Sequence, residues 1–376
     1  MVRFRRALVA LVATAGALIL PPMTSASARA DQFDPTTQKA IETIAQGTLA
    51  YGVPGIAVGI WVPGHGTYVR AFGTANLVTG APFRIDDHVR IGSITKMFVA
   101  TEVLRLVDKG RLTLNDHLDR YVGGIAYGNE ITIRELLNHT SGVFNYTDDP
   151  TWIANFDKNP LEPFTPQDVI AIVNKPGNNP TFVPGTPGAW AYSDTNYILL
   201  GLVIEKLTGK PANEVIQRDV VDRLDLDHTS FPSTSPAIPH PLARGYLLPT
   251  SLDVTAIDPA IAWTAGGMIS TLKDLKVLAK ASATGTLLSP DLQRERLKTV
   301  ATNQGSLPSS YGLGIFNVAG FLGHSGAIYG YGTTAFYLPS ADATIVVVSN
   351  AASNSSEGSA FTFLELASLL FPDQFK

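Results

Sequence analysis

The 376-residue sequence contains no cysteine. That excludes disulfides, thiol catalysis, thiolate metal sites and a lipid-modified cysteine near the amino end. Charged residues are also scarce, at 16%, and no basic tract points to nucleic acid or an anionic membrane as a partner. The seven histidines show no paired spacing of the His-Glu-x-x-His kind, so nothing calls for a metal or another cofactor. Long apolar runs are missing too. Apart from the stretch from Ala7 to Leu20, no segment approaches the roughly 18 uninterrupted apolar residues that a membrane helix needs.

That one stretch follows Arg3, Arg5 and Arg6 and leads to small residues ending Ala28-Arg29-Ala30, the form of a secretory signal peptide over 1–30. Its removal takes away four arginines and no acid, so the formal charge of −4 becomes about −8. The expectation is a chain secreted to the outside, or to the periplasmic or cell-wall space, with no transmembrane anchor. The Arg5-Arg6 pair leaves both general secretory and twin-arginine export open. Without disulfides, such a chain is stabilised by its core, and 45% hydrophobic content over this length allows a large one.

What is present reads as helix, then hairpin, then a long helical middle, then strands again. Residues 36–50 read as a helix. Ile56 to Val62 and Thr67 to Phe72 read as strands joined by Pro63-Gly64-His65-Gly66. From Thr95 to Lys109, apolar Met97, Ala100, Leu104 and Val107 recur at helical spacing, with Gly110 placed for a left-handed cap. Strands return at Gly312 to Val318, Thr333 to Leu338 and Ala343 to Ser349, before a helix near Phe361 to Leu370. The expected fold class is α/β: an antiparallel sheet built from both termini and flanked by helices, with a mostly helical lobe inserted. On this reading residues 31–376 form one catalytic domain, its α/β lobe covering about 31–112 and 306–376 and its helical lobe about 113–305. A site at the junction of the lobes is the natural pocket.

Gly92-Ser93-Ile94-Thr95-Lys96 sets a hydroxyl and an amine one turn apart at a helix start. A lysine whose charged form is disfavoured by burial can take the serine proton. The spacing alone is not decisive, because Ser270-Thr271-Leu272-Lys273 repeats it. There Thr271 and Asp274 suit a helix capping box, and a structural role suffices. By itself Ser93 reads equally as nucleophile or as helix cap. Tyr192-Ser193-Asp194 lies before the apolar run Ile198 to Ile204, which has the look of a buried helix. Taken alone, Tyr192 reads as a packed aromatic, and Gly323-His324-Ser325-Gly326-Ala327 as an edge strand carrying a polar residue.

In their order, Ser93-x-x-Lys96, Tyr192-Ser193-x and His324-x-Gly326 resemble the signature of the β-lactamase-related serine hydrolases. That family includes class C β-lactamases, soluble D-Ala-D-Ala carboxypeptidases and certain esterases. The resemblance extends through Leu136-Leu137-Asn138-His139-Thr140-Ser141-Gly142, Phe182-Val183-Pro184-Gly185, Ala265-Gly266-Gly267-Met268 and Tyr311-Gly312-Leu313-Gly314. It implies Ser93 as nucleophile, Lys96 as its proton partner and Tyr192 as shared general base and later acid. It also implies His324 closing the opposite wall, orienting Tyr192 or the substrate, and His139 as a nearby loop residue. The N–H groups of Ser93 and Ala327 would form an oxyanion hole, each donor worth about 3 kcal/mol of barrier.

Two positions depart from the family pattern. Asp194 stands where an asparagine usually donates to a substrate carbonyl, and an ionised aspartate only accepts. It pairs with Lys96, or meets a donor on the substrate, or leaves the task to Asn196. Ala327 stands where peptidases of the family tend to have a hydroxyl, although Ser325 retains one as a substrate contact. The implied substrates rank as a D-Ala-D-Ala-type peptide of peptidoglycan, then a small acyl ester, then a β-lactam. Two other readings have less support in the residues. Residues 323–327 nearly match the Gly-x-Ser-x-Gly elbow of α/β-hydrolases, with Ser325 as nucleophile, but Ala327 breaks the motif and no histidine follows. A binding or sensor protein that has lost turnover has Asp194 as its only support.

Overall fold

The computed structural model describes residues 32–302, 309–352 and 357–376. The expected signal segment 1–30 lies outside the described residues. Strand Gly55–Val62 pairs antiparallel with Ala343–Ser349, in register from Ile56 opposite Ser349 to Trp61 opposite Thr344. This pairing joins the two ends of the chain in one nine-stranded sheet. On one side of the seam lie Gly66–Asn76 and Ala81–Pro82; on the other, in order, come Tyr331–Leu338, Phe321–Ile328, Phe316–Val318, Ser309–Tyr311 and Val300–Ala301.

Alternation along the strands divides the core in two. Ile56, Val58 and Ile60 face a cluster shared with Val347, Phe336 and Phe363. The helices Pro35–Ala50 and Glu357–Leu370 cover that side. Ala57, Val346 and Val348 face the larger cluster. There the helix Leu272–Thr284 packs so closely on the sheet that a Cβ on Gly59 would come within 2.8 Å of the Leu272 side chain. Thr271 caps this helix by accepting from the Asp274 N–H. The carboxylate of Asp274 accepts from His228 N and Thr229 Oγ1, so it ties two segments together. The serine–lysine spacing at Ser270 is thus structural.

The helix Asp194–Thr208 runs through the larger cluster against Thr95–Asp108, Ile133–Asn138 and Trp263–Gly266. It is surrounded, which is why Ile198, Leu199, Leu200, Val203 and Ile204 form a nearly unbroken apolar run. Each such side chain is worth roughly 1.5–3 kcal/mol of burial.

One strand reading changes. The segment read as one strand from Gly312 to Val318 is a hairpin, because Gly312 and Gly314 form the turn between Ser309–Tyr311 and Phe316–Val318. Gly314 has φ +73°, and a Cβ there would come within 2.3 Å of Ala100 Cβ. Phe321–Ile328 pairs with Tyr331–Leu338 from Leu322 to Ile328 but with Phe316–Val318 only from Phe321 to Gly323, so the stretch carrying His324 and Ser325 has one strand partner and is an edge, as its sequence reads. It is a continuous antiparallel strand, not a strand-to-helix elbow, which removes Ser325 as an elbow nucleophile.

Candidate active site

The nucleophile turn is fixed by backbone contact. Gly92–Ile94 forms a single 3-10 turn that runs directly into the helix Thr95–Asp108. Gly92 has φ +50°, and a Cβ there would lie 2.7 Å from Ala327 O and 2.8 Å from Ala327 N. A Cβ on Gly326 would meet Ile91 O at 2.0 Å. Glycine at both positions lets the open edge of this strand lie on the turn that carries Ser93. The Ile91 N–H donates to Met268 O and its carbonyl accepts from Thr333 Oγ1. No side chain caps the helix, whose N-cap residue is Ile94. Ser93 is therefore not a cap.

Its partner is Lys96, whose Nζ lies 2.9 Å from Ser93 Oγ, 2.6 Å from Asp194 Oδ1 and 2.7 Å from the Ala265 carbonyl oxygen. The lysine side chain is fully buried. Desolvation lowers its pKa, and the Asp194 carboxylate only partly opposes this. Asp194 opens its helix, where the backbone dipole favours a carboxylate, and its N–H donates to Asn145 Oδ1. Asn196 is no substitute for the missing asparagine. It is fully buried, with Oδ1 accepting from Ser141 Oγ and Nδ2 donating to His139 Nδ1.

Tyr192 packs its ring 4.9 Å from Lys96 Nζ and stacks on His139 at 4.3 Å. Burial, reinforced by Asp194, pushes its phenol well above the ordinary value, and the Ser93 hydroxyl opposes this only in part. The phenol is thus protonated at neutral pH.

His139 is buried at the left-handed end of its helix, φ +64°. Its Nδ1 accepts from the Ser193 N–H, which holds the loop bearing Tyr192. His324 is buried as well, and desolvation followed by the charge of Lys96 depresses its pKa to about 3. The ring is neutral, with Nδ1 donating to Ser325 O at 2.5 Å and Nε2 accepting from the Tyr311 hydroxyl at 3.0 Å. Both nitrogens are occupied, and the ring centre lies 6.4 Å from that of Tyr192. His324 therefore does not orient Tyr192 by a hydrogen bond. Tyr311, which entered the sequence reading only as part of a structural motif, is its partner.

The cleft over Ser93 measures about 540 Å3, its open mouth included. Asp194, Ala265 and Ala327 line it beside Ser93. Ser325 is not among the lining residues; its carbonyl holds His324 instead. The far wall is aromatic and was missed in the sequence: Tyr146, Trp152, Phe156 and Tyr329. Trp152 and Phe156 stack at 5.4 Å on the helix Pro150–Lys158, which has no buried residue, and Phe156 meets Tyr329 at 4.7 Å. Two large aromatics four apart on an otherwise exposed helix were the available signal.

Residues 37–368 match the family model described as Beta-lactamase. A D-stereospecific amidohydrolase from Streptomyces sp. superposes with a TM-score of 0.78 at 30% identity, covering 89% of this chain and 99% of that one. The teichoic acid D-alanine hydrolase of Staphylococcus aureus is 24% identical over 307 residues, 81% of this chain and 71% of that protein. Penicillin-binding protein 4* of Bacillus subtilis is 32% identical over 153 residues, 41% of this chain and 32% of that protein. The chain spans between 32% and 63% of the length of the first curated relatives it matches. With its fold and its ordered Ser93, Lys96 and Tyr192, the chain belongs to the β-lactamase family of serine hydrolases.

Proposed function

We propose that this protein hydrolyses small amides or esters of D-amino acids through an acyl-enzyme on Ser93. The observation that carries the reading is the surroundings of Lys96. In its neutral form the amine has two hydrogens for Asp194 Oδ1 and Ala265 O, which leaves its lone pair for the Ser93 hydroxyl 2.9 Å away. As Oγ bonds to the substrate carbonyl carbon, the Ser93 proton passes to Lys96. The protonated Tyr192 hydroxyl then donates to the departing amine or alkoxide as its bond to carbon breaks, and Lys96 returns the proton to Tyr192. Water repeats the sequence on the acyl-enzyme, releases the acid and restores Ser93. The N–H groups of Ser93 and Ala327 serve as the oxyanion donors.

The D-stereospecific amidohydrolase, similar over 99% of its own chain, supports the substrate class, as does the teichoic acid D-alanine hydrolase. The cell-wall peptide that ranked first on sequence ends in a carboxylate, as penicillins do, and the residues lining the cleft include no Lys, Arg or His to receive one. That moves D-Ala-D-Ala peptides of peptidoglycan below small amides. Export rests on the form of residues 1–30, and sequencing the amino terminus of protein recovered outside the cells tests it.

Mass spectrometry of the protein with a D-amino acid amide, its methyl ester, a D-Ala-D-Ala peptide and a penicillin tests the substrate reading. Turnover of the amide and ester through an adduct on Ser93 is expected. Faster turnover of the peptide by orders of magnitude would overturn it.

A further inference from the structure

The aspartate that replaces the family's asparagine is divided between two environments. Its Oδ1 is committed to Lys96 at 2.6 Å, while Oδ2 accepts no hydrogen bond from the described residues. The ion pair is lopsided: the lysine side chain is 0% exposed and the aspartate 23% exposed. The cation is sealed beneath the cleft, and the anion opens into it. Asp194 is also the only charged side chain among the residues lining the cleft. Apart from Lys96, nearby charge has the same sign: burial raises the carboxyl pKa of Asp148, and the charge of Asp194 adds to the rise. At the mouth, Asp157 accepts from the Tyr329 hydroxyl at 3.3 Å.

An ionised carboxylate can only accept, and a partly desolvated one gains most from a charged donor. A neutral carbonyl, the group an asparagine there would have received, is repelled. Resting on the proposed hydrolysis of D-amino acid derivatives, we infer that Asp194 is a specificity-determining residue whose Oδ2 receives the free α-ammonium of the substrate. The substrate class is thereby narrowed to acyl compounds with an unblocked amine beside the scissile carbonyl. The ammonium also takes over part of the neutralisation of Asp194. Lys96 then yields its proton to solvent more readily and reaches the neutral form that Ser93 needs. The aromatic wall of Trp152, Phe156 and Tyr329 remains to take the apolar side chain.

The test compares three amides, with their methyl esters, on the full-length protein: D-phenylalanine amide, its N-acetyl derivative, and 3-phenylpropanamide, which lacks the amine. The wild type should favour the free amine in kcat/KM over both others by about tenfold or more, the span of one charge-assisted hydrogen bond. In Asp194→Asn that ratio should fall towards one, whatever happens to the absolute rate. A structural role alone would slow all three substrates together and leave the ratio unchanged. An equal or reversed preference in the wild type, or a ratio that survives Asp194→Asn, overturns the inference. The wild-type comparison decides by itself if the variant does not fold. A fluorophosphonate probe run in parallel separates the two readings. Labelled Ser93 without an amine preference removes only the ammonium site, whereas unlabelled Ser93 removes the serine hydrolase reading as well.

Discussion

Gly92 and Ala327 lie in backbone contact, so that the turn carrying the nucleophile is seated directly on the edge of strand Phe321–Ile328. Gly92→Ala adds a methyl group where φ is +50° and the nearest backbone atoms are under 3 Å away. The strand must then withdraw, taking one of the two proposed oxyanion donors with it. A loss of kcat of about 100-fold is expected, the usual consequence of misplacing such a donor. Ester hydrolysis measured alongside far-UV circular dichroism checks it, with the spectrum unchanged.

Ser93→Ala should abolish the acyl adduct seen by mass spectrometry, and Ser325→Ala should leave it intact. The second residue contributes its carbonyl, not its hydroxyl, to the site. Abolition by Ser325→Ala alone would reverse the assignment.

The pH dependence of kcat should contain a limb that rises with pH through the lowered pKa of Lys96, because the unprotonated amine is the form that accepts the Ser93 proton. His324, depressed to about 3, is neutral throughout the working range and contributes no limb near 6.5. A pH–rate profile of His324→Asn should therefore keep the position of the wild-type limb, although its height falls as Tyr311 loses a partner.

Glu102 lies buried on the nucleophile helix, ion-paired to Arg105 Nε at 3.3 Å but with neither oxygen in a hydrogen bond of good geometry among the described residues. Burial is the main cause that raises its pKa from 4.5 to about 7, with the charge of Asp219 adding to it. The folded state thus binds more protons than the unfolded state between these values. The stabilisation from this group is full below about 4.5 and is lost as the pH rises to about 7. Thermal melts should show Glu102→Gln with a flatter profile over that window and a higher Tm than the wild type at pH 8.

The parts legible in the sequence were those governed by local pattern. Ser93 and Lys96 are one helical turn apart, and strand Ala343–Ser349 runs unbroken apolar from Ile345 to Val348 because it is buried on both faces. What escaped depends on contacts between distant segments. Tyr311 meets His324 across a hairpin whose turn, Gly312 to Ile315, was read as strand. The wall of Trp152, Phe156 and Tyr329 unites an exposed helix with the turn between Phe321–Ile328 and Tyr331–Leu338. Asp194 was visible as a departure, but that only one of its oxygens is engaged is a property of the assembled cleft.

The pairing of Gly55–Val62 with Ala343–Ser349 also sets an order in time. Ser93 and Lys96 emerge early in synthesis, yet Ala327, against which their turn is braced, comes more than two hundred residues later. A nascent chain shorter than 327 residues therefore lacks the segment on which the nucleophile turn is seated. The order of synthesis thus delivers the nucleophile long before its support.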